Sequence, residues 1–390
     1  MYDTEPVETL RYHHEMLIDK VRVESYQQAI LSVVRKGDVV LDLGCGTGIL
    51  SLFACMAGAK RVYAVDAEPV IEIAKRVVDD NGYQDRVVLM NDWSTYVDLP
   101  EKVDVILTET IGNIGFEEGI LDWVADARKR FLKEGGRVIP QEVELFMAPV
   151  RYDSDRDRTS AWVEDYYGLD FSSVRDIAVN QAFPIRLDPA DLLGPGAPML
   201  KVNLWQDIKG SYKGRNSIQI EQDGMLQGLG GWFRSLLVDE VSITNAPPNQ
   251  TPSWWHVFFP LEASLEVQED DYLLFEASTK PSGGEWSWKV KRQADAPDLG
   301  DDAVDWDFEH QMVDGEIMPR REGRDFDNKP MLDSDAILDL HLLQAMDGNH
   351  SIREIAEDVV QKFPGTFRNQ ETAREHVYSF YEDYGRPAHV

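Results

Sequence analysis

Residues 39–69, VVLDLGCGTGILSLFACMAGAKRVYAVDAEP, constrain the fold more than any other stretch of the chain. An apolar strand pattern runs into a glycine-rich turn, an apolar helix pattern follows, and a second strand pattern ends on an acidic residue. Further along, the same alternation continues as helix 69–79, strands 86–90 and 103–107, helix 117–132 and strand 136–139. Strands that alternate with helices in this way pair in parallel, because each crossover must cover a face of the sheet. The expectation is therefore an α/β, doubly wound parallel sheet. A helix over 12–34 precedes it, with Met16, Leu17, Val21, Val23, Tyr26, Ile30, Val33 and Val34 recurring every three or four positions until Lys36-Gly37-Asp38 ends it.

Past Pro140 the alternation stops. Short apolar runs at 142–150, 197–208 and 215–290, separated by Gly, Pro and Asn, predict a second, β-rich domain. An acidic stretch with little periodicity follows, and helical patterns return near 334–346, 351–363 and 370–384, the middle one opened by the capping-box sequence Ser351-Ile352-Arg353-Glu354. The predicted organisation is an N-terminal helical segment at 1–36, a cofactor-binding domain at 37–140, a β-barrel domain at 141–292, an acidic linker at 293–333 and a C-terminal helical domain at 334–390.

The glycine turn implies a small ligand. Gly44, Gly46 and Gly48 permit positive φ and let backbone approach a molecule that any Cβ would push away. Their spacing is G-x-G-x-G, whereas dinucleotide binders use G-x-G-x-x-G to seat a pyrophosphate on a helix N-terminus. S-adenosylmethionine has no pyrophosphate, so it suits this turn better than NAD. Candidate cofactor residues are Asp42, Gly44, Cys45, Gly46 and Gly48 in and before the turn, and Asp66, whose carboxylate can accept from both ribose hydroxyls. Asp92 and Thr95 lie in the segment expected to border the adenine, and Arg22 can pair with the amino acid carboxylate through a bidentate contact.

A second signal sits in Thr108 to Asp122, TETIGNIGFEEGILD, just after an apolar strand. Glu109 and Glu118 form a pair of carboxylates suited to a cation. A guanidinium is always charged, and its delocalisation makes each nitrogen a poor nucleophile. Two bound carboxylates localise that charge and free one lone pair for attack on a methyl group.

Composition narrows the partners. Asp and Glu outnumber Lys and Arg by 70 to 39, giving a formal charge of −31, which repels nucleic acid and acidic membranes and favours cationic ligands. Neither a metal-ligand spacing of Cys or His nor an apolar run long enough to span a bilayer is present, and with two cysteines and no secretory leader pattern the sequence reads as cytoplasmic.

These motifs together resemble the protein arginine methyltransferase family over roughly residues 12–290. His13 to Arg22 looks like the family's pre-sheet helix, Val40 to Leu50 like its cofactor loop, and Glu109 to Glu118 like its double-glutamate loop. Trp162 to Ala178, within 156–182, is similar to the family's dimerisation arm, which implies a homodimer. The resemblance implies that Arg22 binds the cofactor carboxylate, Asp66 the ribose, and Glu109 and Glu118 the substrate guanidinium.

Two departures from the family pattern bear on the substrate. The Thr-His-Trp motif of the family stands here as Pro252-Ser253-Trp254, with Trp255 and His256 following, so Trp254 and His256 are the candidate substrate-side residues, together with Met16. Of the aromatic N-terminal motif, Tyr2 survives at one position, while Val7 stands where a second tyrosine is expected. These losses suggest a changed substrate, free L-arginine or a small guanidino compound in natural-product biosynthesis. Leu338 to Gly385 looks like the helical half of leader-peptide recognition domains of the pyrroloquinoline quinone biosynthesis protein D type, which implies instead a peptidyl arginine recruited through 334–390. A non-catalytic scaffold that kept the cofactor fold is the remaining reading.

Overall fold

The computed structural model describes residues 6–152, 159–206, 209–248, 253–293, 306–313, 334–363, 366–367 and 369–384. Two compact units divide the chain, Met1–Arg320 and Arg321–Val390.

The first unit begins with helices α1 (Pro6–Ile18) and α2 (Lys20–Val33), where the sequence pattern predicted one continuous helix. Asp19 is the reason for the break. It adopts an extended backbone and caps α2, its carboxylate accepting from the Arg22 N–H at 3.2 Å. Next come β1 (Val39–Leu43), α3 (Ile49–Ala57), β2 (Arg61–Asp66), α4 (Ile71–Asp80), β3 (Val87–Asn91), β4 (Val103–Thr108), α5 (Ile120–Phe131) and β5 (Leu132–Ile139). These strands form a five-stranded parallel sheet in the order β3-β2-β1-β4-β5, as the alternation implied. Central β1 is buried along its whole length, so its valines and leucines read as a continuous apolar run. The chain order reverses between β1 and β4, which opens a crevice at the carboxyl ends of those two strands.

The second half of this unit is antiparallel. It contains β6 (Glu142–Val150), the short helix α6 (Arg175–Ala178), β7 (Phe183–Ile185), β8 (Ala197–Asn203), β9 (Tyr212–Gln219), β10 (Gly224–Val238), β11 (Val241–Thr244), β12 (His256–Val267), β13 (Tyr272–Thr279), β14 (Glu285–Gln293) and β15 (Phe308–Val313). One sheet runs β7-β12-β10-β6-β8, with β11 on β10, and another runs β15-β14-β13-β9. Trp288 is fully buried between them, its indole N–H satisfied by the Pro260 carbonyl at 2.8 Å. Strand β15 falls inside the stretch expected to be linker: its alternating Phe308, His310 and Met312 find a partner in β14, which composition alone did not reveal. Residues 294–305 and 314–333 of that stretch lie outside the described residues, as does Tyr2.

The second unit holds α7 (Ser334–Ala345), α8 (Ile352–Lys362) and α9 (Gln370–Tyr384). A core of its own joins Leu338, Leu342, Ile355, Val359, Val377 and Phe380. Ser351 caps α8 through the expected reciprocal box with Glu354.

Candidate active site

The carboxyl ends of β1, β2 and β4 deliver the glycine turn, Asp66 and Glu109 to one cleft. Helices α1 and α2 close it on one side. Tyr26 is buried on α2 and donates to the carbonyl of Thr108 at 3.0 Å, which fixes α2 beside the end of β4 and sets Arg22 next to Glu109. Two adjoining recesses of about 240 and 320 Å³ share Gly44, Asp66, Thr110 and Glu118 as walls. The first adds Tyr12, His13, Met16, Arg22, Glu109 and Trp254, and the second adds Asp92, Trp93 and Trp123.

The turn itself is built for close approach. Gly46 sits at φ +52, and a Cβ there would meet the His13 ring at 3.1 Å. Asp66 braces the turn from below, one carboxylate oxygen accepting from the Gly46 N–H at 2.7 Å and the other from the Glu68 N–H at 2.9 Å. Each of those oxygens keeps a further lone pair for a ligand hydroxyl. Cys45 lines the cleft as a neutral thiol, its pKa pushed up by burial and by Asp42.

Arg22 and Glu109 form an ion pair with side chains 13% and 7% exposed, and the Arg22 guanidinium also lies over the Trp254 ring at 5.0 Å. The second oxygen of Glu109, Oε1, is buried without a hydrogen-bond partner. Opposite it, Glu118 exposes its side chain to the cleft and accepts no hydrogen bond from the described residues, while Trp123 holds its backbone carbonyl through the indole N–H at 2.7 Å. Burial among surrounding protein atoms raises the Glu118 pKa, and the Arg22 charge pulls it partly back. An unpartnered acceptor on each glutamate makes the pair a receptor for a planar cation with several N–H donors.

Several sequence candidates land elsewhere. Asp42 lies buried beneath the turn, accepts from the Ser51 hydroxyl at 2.6 Å and does not line the cleft. Gly48 caps α3 against Ala74, and Thr95 lies outside the lining, although Asp92 belongs to it. His256 is a correction. It is buried in β12, its Nδ1 accepting from the Leu187 N–H at 3.0 Å and its Nε2–H donating to the Asn245 carbonyl at 2.7 Å, so neither nitrogen reaches the cleft. Burial accordingly lowers its pKa.

In the position of the missing family His, Ser253 donates to the Asp19 carboxylate at 2.6 Å. Asp19 is only 1% exposed, so this bond and the α2 cap together satisfy a buried charge. Sequence reading missed Tyr12 and His13 as cleft residues. Their signal was spacing, since Tyr12 and Met16 share a helix face four residues apart. The Tyr12 phenol is pushed up to about 12 by burial and by Glu118.

Residues 24–141 match the family model described as ribosomal protein L11 methyltransferase (PrmA), and 198–295 match that of the PRMT5 oligomerisation domain. Protein arginine N-methyltransferase 6 of Xenopus laevis is 32% identical over 284 residues, which cover 69% of this chain and 84% of that protein. Among solved structures, the Trypanosoma brucei PRMT1 enzyme-prozyme heterotetrameric complex with AdoHcy superposes with a TM-score of 0.68 at 23% identity, covering 77% of this chain and 97% of that one. Arabidopsis thaliana protein arginine methyltransferase 10, in an open conformation, gives 0.63 at 24% identity over 78% and 99%.

Proposed function

The chain belongs to the protein arginine N-methyltransferase family, and from that premise we propose that Glu109 and Glu118 hold the guanidino group of an arginine within a peptide or protein while one of its nitrogens is methylated. It is an S-adenosylmethionine-dependent arginine methyltransferase. The observation that carries the proposed clamp is the unpartnered, buried Oε1 of Glu109 on a residue that lines the same cleft as Glu118, whose carboxylate accepts no hydrogen bond from the described residues.

The cleft suits S-adenosylmethionine. Paired recesses that share Asp66, a glycine turn whose Gly44 to Thr47 line the first of them, and a stacked Trp93–Trp123 wall with centroids 5.4 Å apart offer complementary places for an amino acid, a ribose and a purine. Gly44 to Thr47, Asp66, Trp93 and Arg22 would hold it. When bound, the group supplies a methyl already activated on a sulfonium. The chain's own contribution is then positional: two carboxylates draw the guanidinium charge toward themselves, leaving one nitrogen lone pair free, and fix that nitrogen in line. Such alignment can supply on the order of 7–11 kcal/mol. The buried Trp254 ring lines the same recess on its substrate side.

The expectation of free L-arginine gives way here, because the relatives are named as acting on protein arginine. The relatives are named as N-methyltransferases, which supports a catalytic chain over a non-catalytic scaffold. Homodimerisation through 156–182 is supported by an apolar groove lined by Trp162, Tyr166, Tyr167, Leu169 and Phe171, in which Tyr167 is fully exposed. In the second unit, α7 exposes Ile337, Leu340 and Leu343 at helical spacing, which supports a peptide-recruiting role. No helix among the described residues is long and apolar enough to cross a membrane.

The test is to incubate the full chain with labelled S-adenosylmethionine and either an arginine-rich peptide, its lysine counterpart or free L-arginine, and to identify products by mass spectrometry. Label on the arginine peptide alone supports the reading; label on free arginine alone restores the small-molecule substrate. Removing 321–390 should lower turnover of a peptide only if the second unit recruits it.

A further inference from the structure

The loop that carries both glutamates leaves β4 and enters α5 with several glycines, so something must hold it in one shape. Part of the answer is internal. Glu117 accepts from the N–H groups of Asn113 and Ile114, and Ile111, Ile114 and Phe116 are buried. At Gly115, φ is +93 and a Cβ would meet Val143 at 2.4 Å, so the loop lies directly on the antiparallel half of the unit.

The remaining tie is a polar one. The side-chain oxygen of Asn113 accepts from the Trp255 N–H at 2.7 Å, and the Asn113 carbonyl accepts from the side-chain amide of Asn245 at 2.8 Å. That same Asn245 amide donates to the Trp255 carbonyl at 2.7 Å, its side-chain oxygen accepts from the Phe233 N–H at 2.9 Å, and its own carbonyl takes the His256 Nε2–H. Asn245 is fully buried, with its side-chain amide, its side-chain oxygen and its carbonyl all used. A planar amide suits this node because it offers two donors and an acceptor at once. The residues before Trp255 reach the opposite wall: Trp254 lies over Arg22 and Ser253 holds Asp19. Asn113 and Asn245 therefore join the acidic loop to the segment that touches Arg22.

We propose that Asn113 and Asn245 are positioning residues for arginine methylation, setting the distance between the two glutamates and the Trp254–Arg22 wall. The inference rests on Glu109 and Glu118 being the guanidinium clamp. Displacing such a clamp by about 1 Å costs up to roughly 100-fold in rate. In the full-length protein, Asn113→Leu is expected to lower kcat/KM for an arginine peptide by about 10- to 100-fold while S-adenosylhomocysteine affinity stays close to wild type. Asn113→Asp keeps the acceptor for Trp255 and should restore most of the activity. Should Asn113→Leu not fold, Asn113→Ala removes the acceptor without adding bulk and carries the same expectation.

Unchanged kcat/KM in the Leu or Ala variant overturns the inference. So does an Asp variant as impaired as the Leu variant, or a loss of cofactor affinity in step with activity. Glu109→Gln, run in parallel, separates the two readings: full activity there removes the clamp itself, whereas an inactive Glu109→Gln beside an active Asn113→Leu removes only the positioning role.

Discussion

Glu109→Gln and Glu118→Gln should both abolish most turnover but differ in what they do to stability. Glu109 already has a partner in the resting protein, and both members of its pair with Arg22 are nearly buried. Removing one charge from a buried pair costs about 3–5 kcal/mol, because the other is stranded. The Trp254 face and the nearby Asp19 and Glu118 soften the loss for Arg22, so the lower end of that range applies. Glu118 is the opposite case. Its raised pKa means that burial disfavours its ionised form, so stability is full below the ordinary carboxylate range and falls as pH rises through the raised value. At neutral pH a neutral Gln relieves that penalty, and Glu118→Gln is expected to unfold at the wild-type temperature or slightly above. Catalytically, each substitution removes a charge-assisted hydrogen bond to the guanidinium worth about 1.5–3 kcal/mol. That corresponds to roughly 10- to 150-fold in kcat/KM, before the loss of charge localisation is added. Thermal unfolding at pH 7.5 beside labelled-methyl transfer to an arginine peptide reads both quantities. Equal destabilisation by the two substitutions, or turnover retained by either, would refute the assignment of a paired and an unpaired glutamate.

Three further outcomes follow from other residues. Burial raises the Asp42 carboxyl to about 7 and leaves its Oδ1 unpartnered, so stability should decline as pH rises from about 4 to about 7, at up to about 1.4 kcal/mol per pH unit, and Asp42→Asn should flatten that slope in denaturant titrations. His310, stacked on Trp288 with its Nε2 unsatisfied, is held down to about 4; stability should fall as pH drops from about 6.5 toward 4, and His310→Phe should raise the unfolding temperature more at pH 5 than at pH 8. Leu169→Asp, on an exposed residue of the proposed dimerisation arm, should convert the proposed homodimer to a monomer in light scattering while changing fold stability by no more than about 0.5 kcal/mol.

The parallel half of the molecule was legible because its signals are local. Strand, turn and helix follow one another within a few residues from Val39 to Asp66, and Glu109 is read from the strand it ends. The Asp19 break was less visible: an N-cap inside an apolar periodicity shows only if the residue is asked to stop one helix and start another. Strand β15 was hidden because acidic composition masked a short alternation whose partner is β14. The Asn113–Asn245 tie spans 132 residues, and no local pattern marks a side chain whose purpose is to meet backbone so far away in the chain. His256 misled for a related reason. A histidine beside tryptophans has the right chemistry for a site, and only the positions of the Leu187 and Asn245 backbone show that both nitrogens are already taken.

Gly115, lying where Val143 leaves no room for a side chain, has a practical consequence for anyone exchanging parts between such enzymes. The acidic loop and the antiparallel sheet beneath it are not separable modules. A chimera whose crossover falls between them would graft one surface onto another shaped for a different loop, and the glutamates would arrive displaced even with both halves folded. Crossovers before Thr108 that carry everything through Trp288 keep that interface whole, so the smallest transplantable catalytic piece is larger than the motif that identifies it.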